Sequence, residues 1–453
     1  MKHIKYLCVA FVHTLGMILS MQAYADEALA RGGVSPELHS RVQKMITADS
    51  RRITDIFKDI HQNPELGFME IRTAGIVAHE LEALGFDVKQ GIGKTGVLAL
   101  LRNGEGPTIL YRTDMDALAV RETTDLPYAS KVRVTRATGI EVPVGHMCGH
   151  DAHVSWMLGM ARTMVALKEQ WSGTLVIVAQ PAEELLSGAK AMIDDGLYQK
   201  YAMPKPEAMV ALHTAPVATG TIINAGGIRF AGTDQLDVTF SGIGGHGSMP
   251  QKTKDPVLMA ASAVVQYQSI ISRSIDPQQA AVLTVGSIQA GEDNNVIPET
   301  ALLKINLRWF SETVRQQLLN GIHSINHSIA IASDLPKNKM PVVVMKGFST
   351  PLNNDQKLTD RLNNAFAEIV DKKQLIDKAP AVMGSEDAHI LLGPHTNVPL
   401  DYIFIGVANE KAFEGANIKA PFFNHNGNFM VDLEAIPFGT RIATVAMLEL
   451  LAK

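Results

Sequence analysis

The chain has 453 residues, a formal net charge of −5 and a hydrophobic fraction of 46%. That length is large for one domain and comfortable for two. The mild acidity, with no basic run, gives nucleic-acid binding no electrostatic support, and no internal repeat or low-complexity tract is visible.

Lys2, His3 and Lys5 precede an apolar run from Tyr6 to Met21, and Ala23-Tyr24-Ala25 is a small-x-small cleavage site. Residues 1–25 therefore read as an export signal, with the mature chain starting near Asp26. The run is short for a spanning helix. The expected product is periplasmic or secreted, with no stable membrane association. Of 2 cysteines, Cys8 leaves with the signal, so Cys148 is the only thiol expected in the mature chain. A lone thiol in an oxidising compartment is a liability that metal coordination would remove.

Helical periodicity runs over residues 35–61, with Pro36 near the start and Val42, Ile46, Ile53, Phe57 and Ile60 at apolar positions. Pro64 and Gly67 end it, and a second helix is expected over 70–84, closed by Gly85. Short strands follow at 97–101 and 108–111. Asp114 and Asp116 come just after the second, at the end where open α/β sheets place their sites. They could be metal ligands, partners that orient ligands, or ion pairs to Arg112; the preferred reading is partners of ligands.

The stretch Gly145-His146-Met147-Cys148-Gly149-His150-Asp151-Ala152-His153 holds a thiol and three imidazoles. Cys148 and His150 lie two positions apart on a turn loosened by Gly149, so both can face one point. Soft sulfur with borderline nitrogen suits zinc or a similar divalent ion; the bland alternative is a His-rich loop beside a buried thiol. A helix over 152–166 and a buried strand of the parallel type over 174–179 come next. That strand delivers Glu183 and Glu184. Adjacent carboxylates there are costly unless they act. One can ligate metal while the other takes a proton from water, or the pair is an acidic helix start. A strand over 208–212 ends in His213, either a ligand or a satisfied core imidazole.

Residues 227–346 read as β-α-β-β-α-β, a ferredoxin-like pattern. Its strands are expected at 235–240, 281–287, 301–310 and 341–345, and its helices at 255–272 and 311–332. A helix over 355–370, a buried strand over 400–406 and a helix over 432–451 follow, with His425 in the loop before the last. The expected fold is α/β: a catalytic domain with a mixed, mainly parallel sheet flanked by helices, made from 26–226 and 347–453. An α+β domain interrupts it.

Seven motifs occur in one order: His61-x-x-Pro64-Glu65-Leu66-Gly67-Phe68, Arg112-x-Asp114-Met115-Asp116-Ala117-Leu118, His146-x-Cys148-Gly149-His150-Asp151-x-His153, Gln180-Pro181-Ala182-Glu183-Glu184, Gly242-x-Gly244-Gly245-His246, Asn295-Val296-Ile297-Pro298 and Ser385-Glu386-Asp387. Over nearly all of the mature chain this resembles the amidohydrolase branch of the aminoacylase/carboxypeptidase family of dinuclear metallopeptidases. The resemblance implies a zinc-exopeptidase-like catalytic domain with two divalent ions per subunit, zinc or manganese, with cobalt or nickel also compatible. Cys148, His150, Glu184, His213 and His425 would be the ligands and Glu183 the general base. It further implies a lid and dimerisation role for the inserted domain, and hence a homodimer. His246 would polarise the substrate carbonyl, and Asn295 and Arg308 would hold a substrate carboxylate. The expected substrate is an N-acyl amino acid or a small peptide-like molecule.

The chain departs from the family at Met147 and Thr113, where alanine is usual. It departs again at Leu185-Leu186-Ser187, where a glycine-rich run is usual, and at Ala388-His389, where an aromatic is common. These positions bear on the substrate pocket and touch no expected ligand. Two rival readings differ in class. One is a cysteine hydrolase using Cys148 with His150 or His153. The other is a non-catalytic periplasmic metal- or solute-binding protein, which would have no need of Glu183.

Overall fold

The computed structural model describes residues 34–136, 139–409 and 423–453; the expected export signal and Cys8 lie outside them. The chain divides into two compact units. The first takes the residues up to Gly227, then Asn354–Ala379 and Ala388–Lys453; the second takes Ile228–Asn353 and Pro380–Asp387.

Along the chain the main elements are α1 (Pro36–Gln62), α2 (Ile71–Ala83), β1 (Asp87–Ile92), β2 (Gly96–Asn103), β3 (Thr108–Asp114), α3 (His150–Ala166), β4 (Gly173–Gln180), β5 (Ala208–Ala218) and β6 (Ile222–Ile223). Then come β7 (Gly232–Ser241), α4 (Pro256–Ser269), β8 (Ala281–Ala290), β9 (Thr300–Trp309), α5 (Glu312–Ala332) and β10 (Val342–Ser349). The chain closes with α6 (Gln356–Ala367), β11 (Leu375–Ile376), β12 (Leu400–Ala408) and α7 (Ala435–Leu451).

The sheet of the first unit runs β1-β2-β4-β3-β5-β12-β6-β11. Its centre, β4-β3-β5-β12, is parallel, and the β1, β2 and β6 pairings to their inner neighbours are antiparallel. This is the mixed, mainly parallel sheet expected from the apolar runs. β1 carried no signal, because Asp-Val-Lys-Gln-Gly-Ile has little apolar content and is half exposed at an edge. β3 and β5 run past their expected ends at Tyr111 and Leu212. Polar Arg112, Thr113, Asp114 and His213 continue the strands because each finds buried partners.

α1 starts where Ser35 accepts the Leu38 N–H at 3.3 Å and Pro36 fits the first turn. Almost every residue of α3 is buried, as expected of a helix sandwiched on all sides. It packs on α1 and α7. The α3–α7 crossing is close because two glycines face it. A Cβ on Gly439 would lie 2.3 Å from the Trp156 ring, and one on Gly159 would lie 2.6 Å from Thr440. Trp156 cannot yield, since its indole N–H donates to Ala435 O at 3.0 Å.

The sheet of the second unit has the order β8-β9-β7-β10, all antiparallel, with α4 and α5 packed against it. That is the ferredoxin-like arrangement. β10 continues along β7 to Thr233↔Ser349, beyond the return point expected at 347. Pro380–Asp387 also joins this unit, where Ala231 N–H donates to Val382 O and Gly384 O. α4, expected to reach 272, turns π-helical at Ile270–Ser274, and Ile275 N–H reaches back to Ile270 O. Among the described residues no helix is long and apolar enough to cross a membrane.

Gly439→Ala is expected to destabilise the fold. Alanine gains about 1 kcal/mol of helix propensity over glycine. Overpacking against a pinned indole costs about 1–3 kcal/mol and wins. The urea unfolding midpoint should fall; an unchanged or higher midpoint would show that the helices can separate freely.

Candidate metal centre

β5 pairs with β3 only as far as Arg112↔Ala211, but with β12 as far as Ala408↔Ala218. The two central strands therefore part just beyond Arg112. Asp114 on β3 and His213 on β5 stand at that parting, where the strands' carboxyl ends form a crevice.

α3 begins beside it. Gly149, its N-cap, has φ +82°, and a Cβ there would lie 2.6 Å from Thr214 Cγ2. Only glycine meets both demands. Thr214 Oγ1 donates to Cys148 O at 2.6 Å, which places Cys148 Sγ 3.6 Å from His213 Nε2. Asn424 Nδ2 approaches the same sulfur at 3.6 Å. His213 Nδ1–H donates to Thr214 O at 2.7 Å, so Nε2 keeps its lone pair toward the sulfur. Burial first, and then neighbouring His153, hold His213 well below the usual imidazole range, in the neutral form a metal needs.

The imidazoles of the motif separate by what they touch. His153 accepts the Thr214 N–H at Nε2, 2.8 Å, and donates from Nδ1 to Asp114 at 2.6 Å; neither nitrogen is left for a ligand. His146 is buried, with no hydrogen bond at either nitrogen, and burial pushes its pKa down to about 4. His150 is fully buried, and neither ring nitrogen makes a hydrogen bond. Its Nδ1 lies 3.3 Å from Asp116, and its Nε2 lies 3.8 Å from Glu183, Glu184 and Asp114. Glu184 Oε1 is likewise buried without a hydrogen bond, 3.3 Å from His425 Nε2. His425 has φ +69°, and its backbone N–H donates to Met147 O at 2.6 Å.

Among the described residues, the groups with ligand atoms within 4.8 Å of one another include three that overlap in the expected ligands: Cys148, His150 and His213; Cys148, Glu184 and His425; His150, Glu183 and Glu184. All five expected ligands and Glu183 thus share one place. A cysteine sulfur, imidazole nitrogens and carboxylate oxygens, several buried without hydrogen bonds, fit a divalent transition ion. Of the two expected partners, Asp116 faces His150 and also accepts the N–H groups of Glu183 and Glu184, each at 3.0 Å. Asp114 binds Arg112 at 2.7 Å and His153. Burial alone would raise the Asp114 pKa, but His150, Arg112 and His153 outweigh it and hold it well below the carboxylate range.

In the second unit, His246 bridges Val296, and the Gly247 N–H donates to Asn295 O at 2.8 Å, so His246 and Asn295 are neighbours. Both are exposed. Arg308 lies on β9, donating to Asn306 Oδ1 at 2.8 Å and to Ser385 Oγ.

Sequence reasoning assigned no role to His61, Glu70 or Glu122. His61 donates from Nδ1 to Asp151 at 2.6 Å and from Nε2 to Glu122 at 3.1 Å. Two carboxylate acceptors require both nitrogens protonated, hence an imidazolium. Burial would push its pKa down, but Asp151 and Glu122 prevail and hold it at about 9. His61 lay inside a recognised motif, which was its only signal; Glu122, far from it in sequence, offered none.

The model of peptidase family M20/M25/M40 matches residues 110–448. Hippurate hydrolase of Campylobacter jejuni is 36% identical over 332 residues, covering 72% of this chain and 82% of the relative. IAA-amino acid hydrolase ILR1-like 4 of Arabidopsis thaliana is 32% identical over 402 residues, covering 88% of this chain and 86% of the relative. Among solved structures, Bacillus subtilis YxeP, described as a dinuclear metal binding peptidase from the M20 family, superposes with a TM-score of 0.68 at 25% identity. That match covers 88% of this chain and 98% of YxeP.

The folded pKa of His61 lies above its ordinary 6.5, so its contribution to stability is full below that value and is lost as pH rises through about 9. Linkage puts it on the order of 3 kcal/mol. The unfolding free energy of the wild type minus that of His61→Gln should be large at pH 7 and shrink toward zero by pH 10. A difference that stays constant across this range would refute the ion clamp.

Proposed function

The chain is a hydrolase of peptidase family M20/M25/M40, and we propose that it cleaves the amide bond of N-acyl amino acids or small peptide-like substrates. The observation that carries this reading is the convergence of Cys148, His150, Glu184, His213 and His425 on one place, with the adjacent carboxylate of Glu183 beside them. Those five residues would hold two divalent ions; the thiolate favours zinc, and the carboxylate and imidazoles also suit manganese. Bound there, the ions would supply Lewis acidity to the carbonyl and make water acidic enough to attack at neutral pH.

The side chains do the rest. Glu183, its backbone N–H fixed by Asp116, takes a proton from the attacking water and returns it to the leaving amine. Asp116 also orients His150 from behind. In the second unit we assign carbonyl polarisation to His246. Ser248 N–H donates to its Nδ1 at 3.1 Å, which makes Nε2 the donor of the neutral ring. Asn295 and Arg308 are assigned to a substrate carboxylate, which suits a partly buried guanidinium.

The cysteine-hydrolase reading is disfavoured. Cys148 is buried and its sulfur lies within ligand distance of His150 and His213 and of Glu184 and His425, the setting of a ligand rather than of an accessible nucleophile. The relatives' names supply the first substrates to try, hippurate and IAA-amino acid conjugates. Export and a homodimer belong to the same proposal; amino-terminal sequencing of the mature chain and sedimentation test them.

The test is a hydrolysis panel of N-acyl amino acids and dipeptides on protein of known metal content, with and without chelator. Activity should vanish on chelation and return with a divalent transition ion. Glu184→Gln and Cys148→Ser should lose metal. Glu183→Gln should keep metal and substrate binding while turnover falls 10²–10⁴-fold, roughly 3–5 kcal/mol in the barrier. Loss of metal from Glu183→Gln and its retention in Glu184→Gln would reverse the two roles. Full activity of a metal-free sample would overturn the reading.

A further inference from the structure

Glu70 immediately precedes α2 and is fully buried. Its Oε1 accepts the Ala182 N–H at 2.8 Å, and its Oε2 accepts the Thr95 hydroxyl at 2.5 Å. Ala182 is left-handed, φ +47° and ψ +42°, although it is not glycine. Such a residue stores on the order of 1 kcal/mol of strain and persists only where its surroundings hold it. Gly67 presses on the same spot, since a Cβ there would lie 3.1 Å from Ala182 Cα. The next two N–H groups, of Glu183 and Glu184, go to Asp116. Three successive amides of one turn are therefore held by two buried carboxylates from other elements. Remove the Glu70 oxygen and the Ala182 N–H becomes a buried donor without an acceptor, free to rotate the peptide that leads into Glu183.

We propose that Glu70 is a positioning residue for Glu183: by reaching Ala182 N–H it locks the left-handed turn that aims the base. The proposal rests on the assignment of Glu183 as base. Glu70 acts through the reach of an acceptor oxygen rather than through its charge, because the bonds it makes go to a backbone amide and a hydroxyl.

Reach and charge separate in two conservative variants. Glu70→Gln keeps the oxygen in place and loses the charge; its amide can donate to Thr95 Oγ1. Glu70→Asp keeps the charge and withdraws the oxygen by one methylene. The first readout is hydrogen–deuterium exchange of the peptide spanning residues 181–187 in metal-free protein, which reports opening of the turn without any chemistry. The second is kcat and KM, at matched metal content, on hippurate or another panel substrate that the wild type turns over. Glu70→Gln should resemble the wild type in both. In Glu70→Asp, exchange should quicken and kcat should fall by about tenfold or more, with KM within about twofold and metal content unchanged.

Thr95→Val, which releases the other carboxylate oxygen, should show the same changes to a smaller degree, and it decides the matter if Glu70→Asp does not fold. Wild-type exchange and kcat in both Glu70→Asp and Thr95→Val overturn the proposal. So does damage in Glu70→Gln equal to that in Glu70→Asp, which would make charge or packing the operative property. If the wild type hydrolyses nothing on the panel, the assigned function fails, while the exchange measurement still decides whether Glu70 holds the turn.

Discussion

The carboxylate of Asp116 holds the site together. Its two oxygens receive the successive N–H groups of Glu183 and Glu184, and one of them also faces His150 Nδ1 at 3.3 Å. A single buried anion thereby ties the segment after β3 to the turn after β4 and to the first residue of α3. An unpaired buried charge costs several kcal/mol, so these partners are a condition of the fold as well as of the chemistry. The same logic extends outward. Arg112 neutralises Asp114, and the His61 imidazolium lies between Asp151 and Glu122. Asp114, Asp116, Asp151 and Glu122 each enter this interior with a cation or N–H donors of their own.

The scaffold keeps that arrangement from drifting. α3 begins with His150 and then runs buried through the middle of the first unit, locked to α7 by the contact of Gly439 with Trp156. A close-packed helix cannot slide by a fraction of an ångström without voids or clashes. On the other side of the crevice, β5 is held along its length by β12 but leaves β3 after Ala211. Rigid pairing on one edge and parting on the other present His213 to the crevice without loosening the strand.

Most of the local architecture was legible in the chain. The apolar runs at 174–179, 208–212 and 400–406 read as buried strands, and they are; the first, expected to be of the parallel type, pairs parallel with β3 and antiparallel with β2. The alternation over 235–240, the amphipathic helix over 255–272 and the strand and helix pattern that follows marked out a ferredoxin-like unit. β1 escaped notice because an exposed edge strand needs little apolar content. The ends of β3 and β5 were misplaced because Arg112, Asp114 and His213 look like strand terminators until their buried partners are known.

Sequence by itself determined which residues could bind metal: one thiol, several imidazoles and two adjacent carboxylates at spacings that chemistry favours. It could not rank the imidazoles of a nine-residue motif, because ligand capacity depends on what occupies the other ring nitrogen. That occupant comes from far along the chain: Thr214 and Asp114 take up both nitrogens of His153, while His150 meets only the more distant Asp116 carboxylate at its Nδ1. Nor could it show that Glu70 reaches Ala182, 112 positions away. Spacing along a chain fixes which groups can share a turn or a helix face. Only folding decides which donor meets which acceptor, and at a buried site that pairing separates a ligand from the residue that holds the ligand in place.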